Sequence, residues 1–103
     1  MVEGFDELIA NTRFIKGGNE MNSLTSIPNI GEVLAQKLID VGINSPENLI
    51  EVGSKEAFIR IKHADDSACI NMLYALEGAI QGVRWHSLSD ETKRELKQFF
   101  KAL

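Results

Sequence analysis

The sequence predicts an all-α fold, a compact bundle of about five or six short helices that contains a helix-hairpin-helix unit. Apolar residues recur at three- and four-residue intervals in several segments, whereas no long stretch alternates between apolar and polar residues as a series of strands would. Residue types typical of helix ends separate these segments. With 103 residues, the chain has enough length for one hydrophobic core and one domain.

The domain is predicted to occupy residues 22–103, preceded by an N-terminal extension or linker over residues 1–21. A short apolar turn around Leu8 is interrupted by Gly17-Gly18 before a longer helix can develop. Two interpretations stay open for the extension: a native segment that docks on the domain, or a stretch outside the folded protein, since Met21-Asn22-Ser23 would itself make a sensible start.

The first two predicted helices flank a turn. Residues 24–27 form a short helix that Pro28 ends, because the residue before a proline disfavours helical geometry. Asn29-Ile30-Gly31 makes the turn, and Gly42 closes the second helix as a left-handed cap. The apolar face of that helix consists of Ile30, Leu34, Ala35, Leu38 and Val41.

The remaining helices are predicted from their starts. Ser45-Pro46-Glu47 opens one with a hydroxyl cap, an early proline and an acid, and Gly53 closes it. Ser54 is predicted to cap the next, Asp65-Asp66-Ser67 to start the longest, and Ser89-Asp90-Glu91 to start the last. Their inward faces are predicted to consist of Ala57, Phe58, Ile61, Cys69, Ile70, Leu73, Leu76, Ile80, Val83, Leu96, Phe99, Phe100 and Leu103.

Charge and composition narrow the function. The formal net charge of −4 opposes a dedicated nucleic-acid binder, which neutralises phosphates with lysine and arginine. The single cysteine, Cys69, cannot form an internal disulfide, and we predict a buried, inert thiol. No apolar run approaches a membrane span of about 20 residues, and the acidic N-terminus does not resemble a secretion signal. We therefore predict a cytoplasmic protein without membrane contact.

No group of residues predicts chemistry at an active site. His63 and His86 have no cysteine or histidine at zinc-ligand spacing, and Asp65-Asp66 suits a helix start better than an acid–base pair. Gly17-Gly18 follows no strand and so forms no phosphate-binding loop. We predict no enzyme, no cofactor, no metal and no small-molecule substrate.

The turn at residues 28–31 is the first candidate site. In helix-hairpin-helix proteins that bind nucleic acids, open backbone amides at the following helix start hold a phosphate. The contacts here would come from Asn29, Ile30, Gly31 and Lys37. However, Asn29 adds a side chain where the backbone should approach the ligand, and Glu32 puts a carboxylate in the first helical turn. Packing is the favoured role of the hairpin, and weak DNA binding is the alternative.

Three segments resemble the TfoX C-terminal-domain family of competence regulators: Pro28-Asn29-Ile30-Gly31, Val41-Gly42-Ile43 and, most closely, residues 73–85. The turn between Gly53 and Ala57 also resembles this family. The resemblance covers about residues 22–100. It implies a non-enzymatic regulatory module, here as a stand-alone domain, which binds a protein partner and has self-association as a further option.

Five residues of the third segment are candidates for a partner surface. Gly78 in mid-helix predicts that another helix crosses closely there, with Tyr74 at the border of the crossing. Trp85 is expected to cover the edge of the core. Glu77 and Arg84 lie seven residues apart on one face, where they would bracket a polar network or a partner site. For each residue, packing and partner contact remain alternatives.

Basic residues on the last helix form the second candidate surface. Lys93, Arg94, Lys97 and Lys101 make a basic edge that suits a nucleic acid or an acidic partner. The alternative is that they complement the helix dipole at its C-terminal end, as the acids complement it at the start. The dipole explains all of them except Lys93.

Overall fold

The structure is a computed structural model that describes residues 23–103, and these residues form helices and connecting turns without a strand. A helical turn at residues 23–25 precedes five α-helices and one 3₁₀ turn. These are α1 (Glu32–Asp40), α2 (Pro46–Val52), α3 (Ser54–Ala64), α4 (Ile70–Gln81), the 3₁₀ turn (Trp85–Ser87) and α5 (Asp90–Lys101). The predicted all-α class is confirmed, whereas the predicted extension over residues 1–21 lies outside the described residues.

Helix α4 is the centre of the domain. It packs against α2, α3, α5 and the 3₁₀ turn, while α1 packs against α3. Apolar residues from every α-helix meet in a single core, and burial of such side chains is the main force that holds short helices together. The largest fully buried side chains are Phe58, Leu24, Leu38, Ile43, Leu49, Ile61, Leu73 and Leu76. None of the helices described is long and apolar enough to cross a membrane.

Most predicted helix ends are confirmed by their hydrogen bonds. The Ser45 hydroxyl accepts a bond from the Asn48 amide (3.0 Å), and the Ser89 hydroxyl accepts one from the Thr92 amide (3.1 Å). Gly42, with φ of +89°, follows the end of α1 in a conformation that side chains with a Cβ disfavour. Local chemistry therefore sets where these helices begin and end.

The start of α3 differs from the prediction. Ser54 is the first helical residue, and the cap position belongs to Gly53. The buried Ser54 hydroxyl instead donates a 2.6 Å hydrogen bond to the Glu77 carboxylate on α4. Ser54 thus joins two helices rather than capping one.

The predicted start of α4 at residues 65–67 is also wrong. Asp65 ends α3, and its carboxylate accepts bonds from the Ser67 amide (3.0 Å) and hydroxyl (2.6 Å) in a turn before α4. Such local bonds compete with helix formation, so α4 begins only at Ile70. Cys69, predicted to be buried, is exposed at the cap position. Leu103, predicted to face the core, is 55% exposed.

Candidate functional site

Asn29 connects the turn at residues 28–31 to the end of α4. Its backbone has φ of +70°, the left-handed conformation that asparagine tolerates better than most residues. The side-chain amide donates to the carbonyls of Val83 (2.9 Å) and Ala75 (3.4 Å), and the side-chain oxygen accepts from the Trp85 amide (3.1 Å). We call these three contacts the Asn29 bridge. The side chain that would obstruct a phosphate is therefore an internal connection.

The small size of Gly78 makes room for this bridge. A Cβ atom on Gly78 would lie 2.5 Å from the Asn29 side-chain nitrogen, 2.8 Å from the Val83 carbonyl oxygen and 3.2 Å from the Trp85 Cα. The sequence predicts a helix crossing at this glycine, and that prediction is wrong. The close neighbours are the Asn29 amide and the chain that returns over α4 at residues 83–85.

Of the other predicted phosphate contacts, Lys37 is paired with an acid and Ile30 is buried. Lys37 forms a 2.6 Å ion pair with Asp65, which ties α1 to the turn after α3. This bond, followed by those from Ser67, holds the pKa of the Asp65 carboxyl well below its usual range. Ile30 is buried, so Gly31 is the one exposed residue among the four predicted phosphate contacts.

Aromatic rings stack beside the end of α4. Tyr74 and Trp85 lie 6.0 Å apart between ring centroids and only 11° from parallel, and His86 stacks on Trp85 at 4.0 Å. The ammonium of Lys93 lies 6.0 Å from the centre of the Trp85 indole, and it donates to the His86 carbonyl at 3.4 Å. We refer to Tyr74, Trp85 and His86 as the aromatic stack.

The aromatic stack adjoins the basic edge. A shallow hollow of about 260 Å³ is lined by Tyr74, Asp90, Lys93, Arg94 and Lys97. Two surfaces that the sequence presents as separate candidates are therefore one continuous surface. The roles of His86 and Asp90 in it were not foreseen, because the stack depends on the 3₁₀ turn that places His86 against its neighbour.

Glu77 and Arg84 do not form the network suggested by their spacing. Glu77 accepts bonds from the Ser54 hydroxyl (2.6 Å) and from the Gln81 amide (2.8 Å), so it belongs to the contact between α3 and α4. Arg84 is exposed and makes no hydrogen bond or ion pair within residues 23–103. Arg84 therefore stays a candidate for partner contact, whereas Glu77 has a structural role.

Two further features bear on ligand binding. A mostly apolar groove of about 420 Å³ is lined by Ile59, Lys62, His63, Phe100 and Leu103. Among residues 23–103, no three histidine, cysteine or acidic side chains are grouped as metal ligands would be. The aromatic stack and the basic edge combine stacked rings, cations and a hollow, and we take this surface as the candidate site of the described domain.

The chain is similar to one family model and to proteins from two bacteria. The model of the TfoX C-terminal domain matches residues 20–100. DNA transformation protein TfoX1 of Aliivibrio fischeri is 25% identical over 96 residues, and the match covers 89% of this chain but 46% of that protein. The chain therefore spans about half the length of this curated relative.

Two crystal structures from Listeria monocytogenes share the fold. An uncharacterized protein in a triclinic form is 56% identical, with a TM-score of 0.76 over 77% of this chain and 90% of that one. A protein of unknown function in a tetragonal form is also 56% identical, with a TM-score of 0.75 over 77% and 98% of the two chains.

Proposed function

This chain belongs to the TfoX C-terminal domain family, and we propose that it is a non-enzymatic regulatory module of the cytoplasm that acts by binding a protein partner. The name of the Aliivibrio fischeri relative, a DNA transformation protein, supports a role in competence-type regulation. The family match covers nearly the whole described domain, which supports assigning the proposed role to this helical unit.

The observation that carries the proposal is the internal use of the hairpin. A phosphate cradle needs open amides and a basic side chain free to reach the ligand. Here the side chain of Asn29 bonds to Val83 and Trp85, and Lys37 is paired with Asp65. A turn whose polar side chains are bonded within the protein is better suited to packing than to DNA recognition.

Net charge supports the same preference. Generic duplex binding accumulates over several phosphate contacts and falls steeply with salt. A chain with a net charge of −4 repels a polyanion at long range, and one hairpin supplies few contacts. A protein partner can be recognised through a smaller charged patch combined with aromatic anchors.

Two measurements on the purified full chain test the proposal. The first is a fluorescence-anisotropy titration with a mixed-sequence DNA duplex across a salt series, using wild type, Lys37→Glu and a Lys93→Glu/Lys97→Glu double variant. We expect no measurable duplex binding at about 150 mM salt. Micromolar or tighter binding that either variant abolishes would promote the DNA-binding alternative.

The second measurement is quantitative affinity capture from the cells that produce the protein. We expect one protein to be enriched in stoichiometric amount. Sedimentation of the purified chain then distinguishes a different protein from a second copy of this one. Failure to enrich any protein, together with a monomeric chain, would contradict the proposal.

A further inference from the structure

We propose that the basic edge and the aromatic stack together dock an acidic helix of a protein partner. The inference rests on the proposed function and deepens it, because it names the surface and the chemistry of the partner. It is built on four features of that surface: free cations, their spacing, a fixed aromatic anchor and the size of the hollow between them.

Three of the four cations of the basic edge are available to a partner. Arg94, Lys97 and Lys101 are exposed, and none of them forms a hydrogen bond or ion pair within residues 23–103. Other cations of the domain are engaged: Lys37 pairs with Asp65, and Lys62 donates to two backbone carbonyls. Three exposed cations without a partner among residues 23–103 therefore lie together on α5, in a chain whose overall charge is negative.

The spacing of these cations matches a helix. Lys93, Lys97 and Lys101 recur once per turn of α5, with an axial rise of about 6 Å between them. Glutamates at every fourth position of a partner helix repeat at the same interval. An extended peptide that binds by adding a strand would instead need a sheet edge, and residues 23–103 contain no strand. A helix brings its backbone hydrogen bonds with it.

The aromatic stack supplies a fixed apolar anchor beside the charges. The backbone of Trp85 is held by the Asn29 side chain, and its ring is held against Tyr74 and His86. Tryptophan, tyrosine and arginine are the residues that most often dominate binding energy at protein interfaces. Because this anchor is already ordered, little conformational freedom is lost when a partner binds.

The hollow is too small for a typical cofactor. Its volume of about 260 Å³ is below the range of about 300–1,000 Å³ for small-molecule pockets. It can receive one side chain of a partner between Tyr74 and the cations. An interface that accepts single side chains is typical of a protein–protein contact.

The same surface is poorly suited to a nucleic acid. Asp90 lines the hollow, and Glu91 and Glu95 are exposed on the same helix. They would repel the continuous charge of a phosphate backbone, whereas a partner helix needs glutamates only opposite the cations. The four cations of the basic edge are fewer than the roughly 6–10 phosphate contacts of a strong DNA binder.

The test uses an alanine-based helical peptide with glutamate at every fourth position, titrated into the full chain. Trp85 is the only tryptophan, so its fluorescence reports binding at this surface directly. Arg94→Glu/Lys97→Glu is the test variant, since both side chains are exposed and unpaired within residues 23–103. Lys55→Glu/Arg60→Glu on α3 makes the same change in net charge elsewhere and is the control.

We expect the glutamate peptide to shift the Trp85 emission and to bind wild type and the control double variant with similar affinity. Reversal of Arg94 and Lys97 is expected to weaken binding about tenfold, because two exposed attractions become repulsions. Added salt should weaken the wild-type interaction as well. The same peptide with glutamine in place of glutamate should bind at least as weakly as the glutamate peptide binds the test variant.

Several results would overturn this assignment: no binding of the glutamate peptide, equal binding of the glutamine peptide, or equal affinity for the test variant and wild type. If a mixed-sequence duplex bound more tightly than the peptide, the surface would be a nucleic-acid-binding site instead. If the assignment fails while wild type still captures a cellular protein, the proposed function stands and another surface serves it. If affinity capture also enriches no protein, both this assignment and the proposed function are contradicted.

Discussion

Replacement of Asn29 by glycine tests how much the bridge between the hairpin and α4 contributes to stability. Glycine removes the side-chain bonds to Ala75, Val83 and Trp85 but tolerates the φ of +70° without strain. The 3.4 Å bond to Ala75 is long and contributes little. The expected loss therefore comes from the other two bonds.

Each of these two hydrogen bonds contributes about 1 kcal/mol net, and a buried group left without its partner costs about 1–3 kcal/mol. The contacts are part-buried, at 2.9 Å to the Val83 carbonyl and 3.1 Å from the Trp85 amide. We expect Asn29→Gly to lower the free energy of unfolding by about 3 kcal/mol. Asn29→Ala should lose about 1 kcal/mol more, since alanine is strained at positive φ.

The measurement is urea unfolding of the full chain, followed by circular dichroism and by Trp85 fluorescence. For a domain of this size, 3 kcal/mol corresponds to a fall of roughly 15 °C in melting temperature. Asn71→Ala is the matched control, because Asn71 is exposed on α4 and makes no hydrogen bond within residues 23–103 through its side chain. Its stability should stay within about 0.5 kcal/mol of wild type. If Asn29→Gly also stayed within that margin, the bridge would have no energetic role.

Two further substitutions give distinct outcomes. Gly78→Ala should lower the free energy of unfolding by about 2 kcal/mol, measured by urea unfolding, although alanine has the better helix propensity. The cause is the added Cβ, which would lie 2.8 Å from the Val83 carbonyl oxygen. A variant as stable as wild type would contradict the packing described. Asp65→Asn should be less stable than wild type at pH 7, because the Lys37 contact lowers the pKa of Asp65 in the folded state and so stabilises the fold above the unfolded pKa of about 3.9. That difference should shrink as the pH falls below about 4, and a pH-independent difference would refute the electrostatic cause.

The predictions that succeeded depend on local chemistry. Ser45 and Ser89 cap helices because each hydroxyl reaches an amide three residues later, and Gly42 ends α1 through its own backbone freedom. Helical periodicity likewise identifies the class, since it requires no knowledge of which helices meet. These features are encoded within a few residues of where they act.

The predictions that failed depend on distant partners or on competing local bonds. Asn29 bonds to Val83 and Trp85, which lie 54 and 56 positions further along the chain. Ser54 bonds to Glu77, 23 positions further along. Neither set of contacts follows from the neighbouring sequence. Asp65 has the type of a helix cap, but its carboxylate serves a turn before the helix. Sequence therefore drew attention to these residues without predicting these contacts.

The parts of the candidate surface could be predicted from local sequence, but their arrangement could not. The basic edge follows from the four-residue spacing of lysines on α5, and Trp85 stands out as the only tryptophan. Their meeting depends on how the 3₁₀ turn places His86 and Trp85 against Lys93, which is a tertiary result. Separate candidates could be predicted from sequence, but not that they form one surface.

Site-specific photo-crosslinking in the cells that produce the protein tests most directly whether this surface binds a protein. A photoreactive phenylalanine derivative replaces Gln98, which is exposed on α5 beside Lys97, and a control places it at the exposed Glu47 of α2. We expect irradiation to yield a discrete protein adduct from position 98 and none from position 47. An adduct with nucleic acid at position 98, or the same adducts from both positions, would contradict the proposal that this surface binds a protein partner.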